Sequence, residues 1–76
     1  RAEVAAQRRR VRAVLASWVE DVARQRGQRL VLPADEVALV VHALAIGMVF
    51  EQIGDPDAVG NRFGSWFEAV LTGFME

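Results

Sequence analysis

The sequence has no cysteine and no tyrosine, two prolines and a single histidine. Without cysteine there are no disulfides, no thiol nucleophile and no thiolate metal site. That fits a reducing compartment. One histidine cannot supply the several ligands a metal needs, and the acidic residues, mainly at helix ends, show no spacing that would complete a set. Lysine is absent too, so all nine basic residues are arginine. Ten acidic residues bring the formal net charge to −1, which gives no general attraction to nucleic acid or anionic lipid. A Gly-rich phosphate loop, GxSxG, CxxC and HExxH are all missing. A signal peptide is not visible either. The chain alone reads as a non-enzyme without cofactor or metal.

What is present is apolar. Hydrophobic residues make up 53% of only 76, a high share for so small a chain. The length allows one domain at most. Excess apolar content in a chain with so much surface points to a surface covered by something else. The richest stretch is Val37 to Phe50, VALVVHALAIGMVF, where His42 is the only strongly polar side chain. At about 100° per residue, Val37, Val41, Leu44 and Met48 share one helix face. Leu39, Ala43, Ile46 and Phe50 share roughly the opposite face. A helix apolar all round is buried all round or sits in a membrane. This run is shorter than the roughly 20 residues a bilayer requires. The expectation is therefore a soluble, cytoplasmic helix with a partner on each side. The chain itself can supply one partner, and a second copy or further protein the other.

The rest organises around that run. Val4, Val11, Val14, Leu15, Trp18, Val19 and Val22 follow the i, i+3, i+4, i+7 pattern, predicting a helix over 2–26. Gly27 is a C′ residue able to take positive φ. Residues 28–33, QRLVLP, form a connector apolar enough to pack down. Pro33 fits the first turn of the second helix, with Asp35 and Glu36 at its positive end. That helix is expected over 34–53, stopped by Gly54. Asp55-Pro56-Asp57 reads as a turn. The third helix is expected over 60–75, with Asn61 as N-cap and an apolar stripe of Phe63, Trp66, Phe67, Val70, Leu71 and Phe74. No alternation of period two predicts a strand. The chain begins Arg1-Ala2-Glu3-Val4 without Met, and the apolar repeat is already running at Val4. It is therefore expected to be a piece of a longer protein whose first helix continues upstream.

Several residues invite sharper readings. Arg8, Arg9, Arg10 and Arg12 resemble a nucleic-acid patch, but on a helix they spread over roughly 200° of circumference. No aromatics interleave with them for base stacking, so they read as solvated helix surface. His42 has no polar neighbour to act as nucleophile or acid. It reads as a packed or boundary histidine with a local hydrogen bond. Gly47 costs a helix interior about 1 kcal/mol relative to Ala. With Ala43 one turn earlier, it reads as a place for close helix approach. Trp18 and the aromatics of the third helix can line a pocket or fill a core, and their spacing alone favours core.

The order of these segments resembles the C-terminal part of TetR-family transcriptional regulators. An Arg-rich amphipathic helix leads through a Gly turn into LPADEVALVVHALAIGMVFEQI. Then follow GDPDAV and a last helix ending EAVLTGF. The family's penultimate helix often carries an apolar run with an internal Gly, matched by Ala43–Ile53 around Gly47. An Asp-Pro turn often follows, matched by Asp55-Pro56-Asp57. The last helix often ends Leu-x-x-Gly-Leu, matched by Leu71-Thr72-Gly73-Phe74. The likeness covers nearly the whole chain.

The resemblance implies an all-α fold of three antiparallel helices, forming half of an intermolecular four-helix bundle. It implies a homodimer whose interface uses Leu39, Ala43, Ile46, Gly47, Phe50, Phe63, Trp66, Phe67, Val70 and Phe74. It implies that the first two helices contribute Leu15, Trp18, Val41, Leu44 and Met48 to a pocket for a small apolar effector. These residues contain no helix-turn-helix, so DNA contact is implied only through a further N-terminal domain. The competing expectation is a free-standing helical module that binds another protein's helix in a groove.

Overall fold

The first helix, α1, spans Ala2–Gln25, with Glu3 in its first turn and Arg24 in its last. Both charges complement the helix dipole. Gly27, at φ 66°, ends the helix. The Gln28 N–H donates to the Ala23 carbonyl at 2.9 Å and the Gly27 N–H to Arg24 at 3.1 Å. That pair of bonds is a Schellman motif, and it needs the positive φ that glycine tolerates. The computed structural model describes residues 2–76, and Arg1 lies outside the described residues.

The second helix, α2, spans Ala34–Gly54. Two details differ from expectation. Pro33 is the N-cap and not a first-turn residue, at φ −53° and ψ 143°. Its carbonyl accepts from Glu36 and Val37 at 3.0 and 3.1 Å. Gly54 does not stop the helix; it stays helical, and Asp55 is the C-cap at φ −146°. The cause is Pro56. A residue before proline is pushed out of the α region into an extended conformation.

The same Asp55 starts another helix, so the expected three helices are four. Helix α3 is Pro56–Val59, and the Asp55 side chain accepts from the Asp57 N–H at 3.1 Å. An aspartate cap followed by proline at the first helical position favours a helix start as much as a turn. Gly60, at φ 58°, closes it. Helix α4 is Phe63–Gly73, later and shorter than the expected 60–75. Asn61 does not cap it; Arg62 stands at the N-cap without a side-chain cap bond. The end is shorter because the last residues leave the helix to pair with the connector. Leu30 and Met75 form an antiparallel bridge. Arg29 and Glu76 exchange backbone hydrogen bonds at 2.9 and 2.8 Å, and the Val31 N–H donates to Phe74 at 2.8 Å.

The core sits at one end. Val19 and Ala23 of α1, Val37 and Val41 of α2, Leu71 of α4 and Met75 form one buried cluster. Val22, Leu30, Phe67 and Phe74 pack against it. Late α1 thus meets early α2. Early α1 meets later α2, where Val4 and Val11 share a groove with His42 and Ile46, so the pair runs antiparallel. The result is all-α and flat, measuring 37 × 34 × 15 Å. Its radius of gyration is 13.6 Å, against about 11 Å for a compact domain of this length.

Candidate interaction surface

Helix α2 buries one face and shows the other. Val37, Ala38, Val41 and Met48 are buried. On the far side, Leu39 is 48% exposed, Phe50 67% and Ile53 74%. Ala43 and Gly47 between them are also exposed, and Ile46 is half-buried at the edge. A Cβ added at Gly47 would meet nothing within 4 Å. No element of this chain approaches there closely. The flat shape explains why. Enclosing α2 on both broad faces needs neighbouring axes about 8–10 Å away on each side. A body 15 Å thick has no room for both.

Helix α4 continues the surface with aromatics. Phe63 and Trp66 are partly exposed, Trp66 by 39%. Phe67 turns inward instead, half-buried, with its ring centroid 5.6 Å from Phe63 and 6.2 Å from Trp18. Val70 and Phe74 are half-buried, and Phe74 packs on the core. The stripe expected as one interface therefore divides. Phe63 and Trp66 lie on its outer edge, and Phe67 and Phe74 lean on the chain's own core.

The five residues expected to line an effector pocket are dispersed by burial. Val41 belongs to the core cluster and Met48 is buried. Leu15 and Leu44 are half-buried, and Trp18 faces Phe67. An open groove of about 220 Å³ lies elsewhere, between early α1 and the middle of α2. Val4, Gln7, Arg8, Val11, His42 and Ile46 line it, and none of the five does. His42 is half-buried and takes part in no side-chain hydrogen bond among the described residues.

The charged side chains form exposed ion pairs, two of them between segments and one along α1. Arg26 pairs with Glu68 at 2.7 Å and reaches the Thr72 hydroxyl at 3.4 Å, tying the end of α1 to α4. Arg29 approaches Glu76 at 3.8 Å beside the bridge. Arg24 pairs with Asp21 along α1. Arg8, Arg9, Arg10 and Arg12 make no ion pair among the described residues. No three His, Asp or Glu side chains converge as a metal site among the described residues. Arg62 was not singled out by sequence reasoning. Its side chain reaches the carbonyls of Asp57, Ala58 and Val59, and its guanidinium carbon lies 4.7 Å from the centroid of the Trp66 ring. The i, i+4 spacing of Arg62 and Trp66 is the signal that would have found the pair.

At 21 residues, and with mean hydropathy 1.8 in its most apolar window, α2 is long and apolar enough to cross a membrane. The flanking turns Ala34–Glu36 and Glu51–Gly54 lengthen it beyond the apolar run. A mostly buried core helix of a soluble protein satisfies the same criterion, whereas only 22% of this window is buried. Here α1 lies alongside, carrying Arg8, Arg9, Arg10 and Arg12. Each arginine at the centre of a bilayer costs about 2.5–3.5 kcal/mol or more. Compared with family models, curated proteins and solved structures, the chain gives no significant match in any of the three.

Proposed function

We propose that this chain is a homodimerisation element, built on the outer faces of α2 and α4, from the regulatory domain of a TetR-like transcriptional regulator. The observation that carries the reading is the uncovered apolar face of α2, from Leu39 through Phe50 to Ile53. The chain exposes 5415 Å², against roughly 4,600 Å² for a compact monomer of this mass, an excess that goes with its flat shape and its uncovered α2 face. A second copy carries the same apolar face, so a two-fold arrangement brings like surface to like. Two such flat bodies packed face to face make a two-layered helical bundle.

The resemblance supplies the wider role. In that reading the element works in the cytoplasm without catalysis. It joins two DNA-binding heads that lie outside these residues, and an effector held partly by α1 and α2 shifts their spacing. The test is sedimentation equilibrium of the chain and of its Phe50→Asp variant. The expected result is a dimer for the first, and for the second a helical monomer with the same circular dichroism. A wild-type chain that stays monomeric and cooperatively folded at 100 micromolar would overturn the reading. So would association only with lipid vesicles.

A further inference from the structure

We propose that Arg62 is the positioning residue of this surface: it braces the end of α3 and holds the Trp66 ring where a second copy meets it. The inference rests on the self-association reading above. Helix α3 is a single turn whose last carbonyls have no partner within the helix. The Arg62 side chain supplies one. Its Nε donates to the Val59 carbonyl at 3.2 Å. Its Nη2 donates to Ala58 at 2.5 Å and to Asp57 at 3.3 Å. The Arg62 backbone N–H also donates to Val59 at 3.0 Å. The planar guanidinium is thereby clamped on one side by three carbonyls.

The guanidinium carbon also lies over the ring of Trp66, one turn along α4. The distance of 4.7 Å from guanidinium carbon to ring centroid is within cation–π range. The Arg62 carbonyl accepts from the Trp66 backbone N–H and the Ser65 hydroxyl, each at 3.0 Å, so the same residue begins the helix that bears the ring. Arg62 makes no ion pair among the described residues. Its charge is met by carbonyl dipoles and by the ring. The indole remains 39% exposed on the outer edge of α4. A large aromatic fixed before binding loses less rotamer freedom when a partner covers it. Lysine cannot reproduce this, because a point charge has no planar fork to span the carbonyls and stack on the ring.

The experiment measures dimer dissociation constants for Arg62→Ala, Arg62→Lys, Trp66→Ala and the Arg62→Ala/Trp66→Ala double variant, all in the full chain. Arg62→Ala is expected to weaken the dimer by about tenfold, and Trp66→Ala by at least as much. The double variant should be no weaker than Trp66→Ala alone, because Arg62 acts through the ring. Arg62→Lys should recover only part of the loss. A second readout uses Trp18→Phe, which leaves Trp66 as the sole indole. There Arg62→Ala should lower the fluorescence anisotropy of Trp66 in monomer at high dilution. Arg62→Lys serves both readouts if Arg62→Ala does not fold. Losses that add in the double variant, or an unchanged anisotropy, overturn the role of Arg62 while leaving the dimer standing. A wild-type chain that never dimerises overturns the self-association reading and this role with it.

Discussion

Gly47 stands beside open space, and its substitutions test whether a second helix fills it. It stands inside α2, where glycine costs about 1 kcal/mol relative to alanine. Nothing in this chain approaches its open side. Gly47→Ala should therefore raise the stability of the monomer by roughly 1 kcal/mol, read by urea unfolding at high dilution. Gly47→Leu should fold equally well at high dilution, yet weaken association by about 1–3 kcal/mol through overpacking if another helix crosses there. An unchanged dissociation constant for the leucine variant would refute the close crossing. Gly27 is the contrasting case. Its φ of 66° is a backbone requirement, so Gly27→Ala should cost about 1 kcal/mol whatever the concentration. Both glycines stood out in the sequence, and the two physical reasons differ. One is a chain reversal within the molecule, and the other is an open space beside it.

At the level of elements, α1, α2 and α4 were legible because each carries a long apolar repeat. Helix α3 was not, since a single turn has no periodicity to read. Its signal was local, in Asp55 and Pro56, and a turn uses the same residues. The bridge between Leu30 and Met75 was hidden for another reason. It joins segments far apart in sequence, and neither alternates in the manner of a strand. The aromatic stripe of α4 is plain in the sequence, but helical angle alone does not tell which edge the chain itself covers. The structure separates them, and the separation is testable. Phe67→Ala removes a ring packed against Trp18, Phe63 and the core. It should cost about 2–4 kcal/mol of folding stability, somewhat less than a fully buried Phe, at all concentrations. Trp66→Ala should cost the dilute monomer less than Phe67→Ala does, and should weaken the dimer in addition. Urea unfolding at micromolar and at hundredfold higher concentration distinguishes the two. A Trp66→Ala loss that is the same at both concentrations would return that residue to the core.

At the scale of the molecule, the chain's excess of apolar residues is not absorbed by its own core. The buried cluster occupies one end, while Leu39, Phe50 and Ile53 lie in water if nothing covers them. Covering what remains exposed of each would contribute about 0.7–2.2 kcal/mol. The arginines of early α1 have no such deficit. They point around the helix and lie mostly in solvent, so Arg9→Gln with Arg10→Gln should shift stability by less than about 0.5 kcal/mol. The apolar face should instead make stability depend on concentration. A partner that binds only the folded chain stabilises it by mass action, by about 2.7 kcal/mol for a hundredfold rise in concentration. For a dimer of two such chains, about 1 kcal/mol moves the midpoint by roughly 2–4 °C. The wild-type melting temperature should thus rise by roughly 5–10 °C over that range. Leu39→Glu with Phe50→Asp should remove the rise, because two buried like charges would face their copies across the interface. The same pair lies outside the core cluster, so the helices should persist at high dilution. A double variant that still melts higher at higher concentration would move the interface off α2. A wild type with no concentration dependence would overturn the self-association reading and leave the apolar face of α2 uncovered by a second copy.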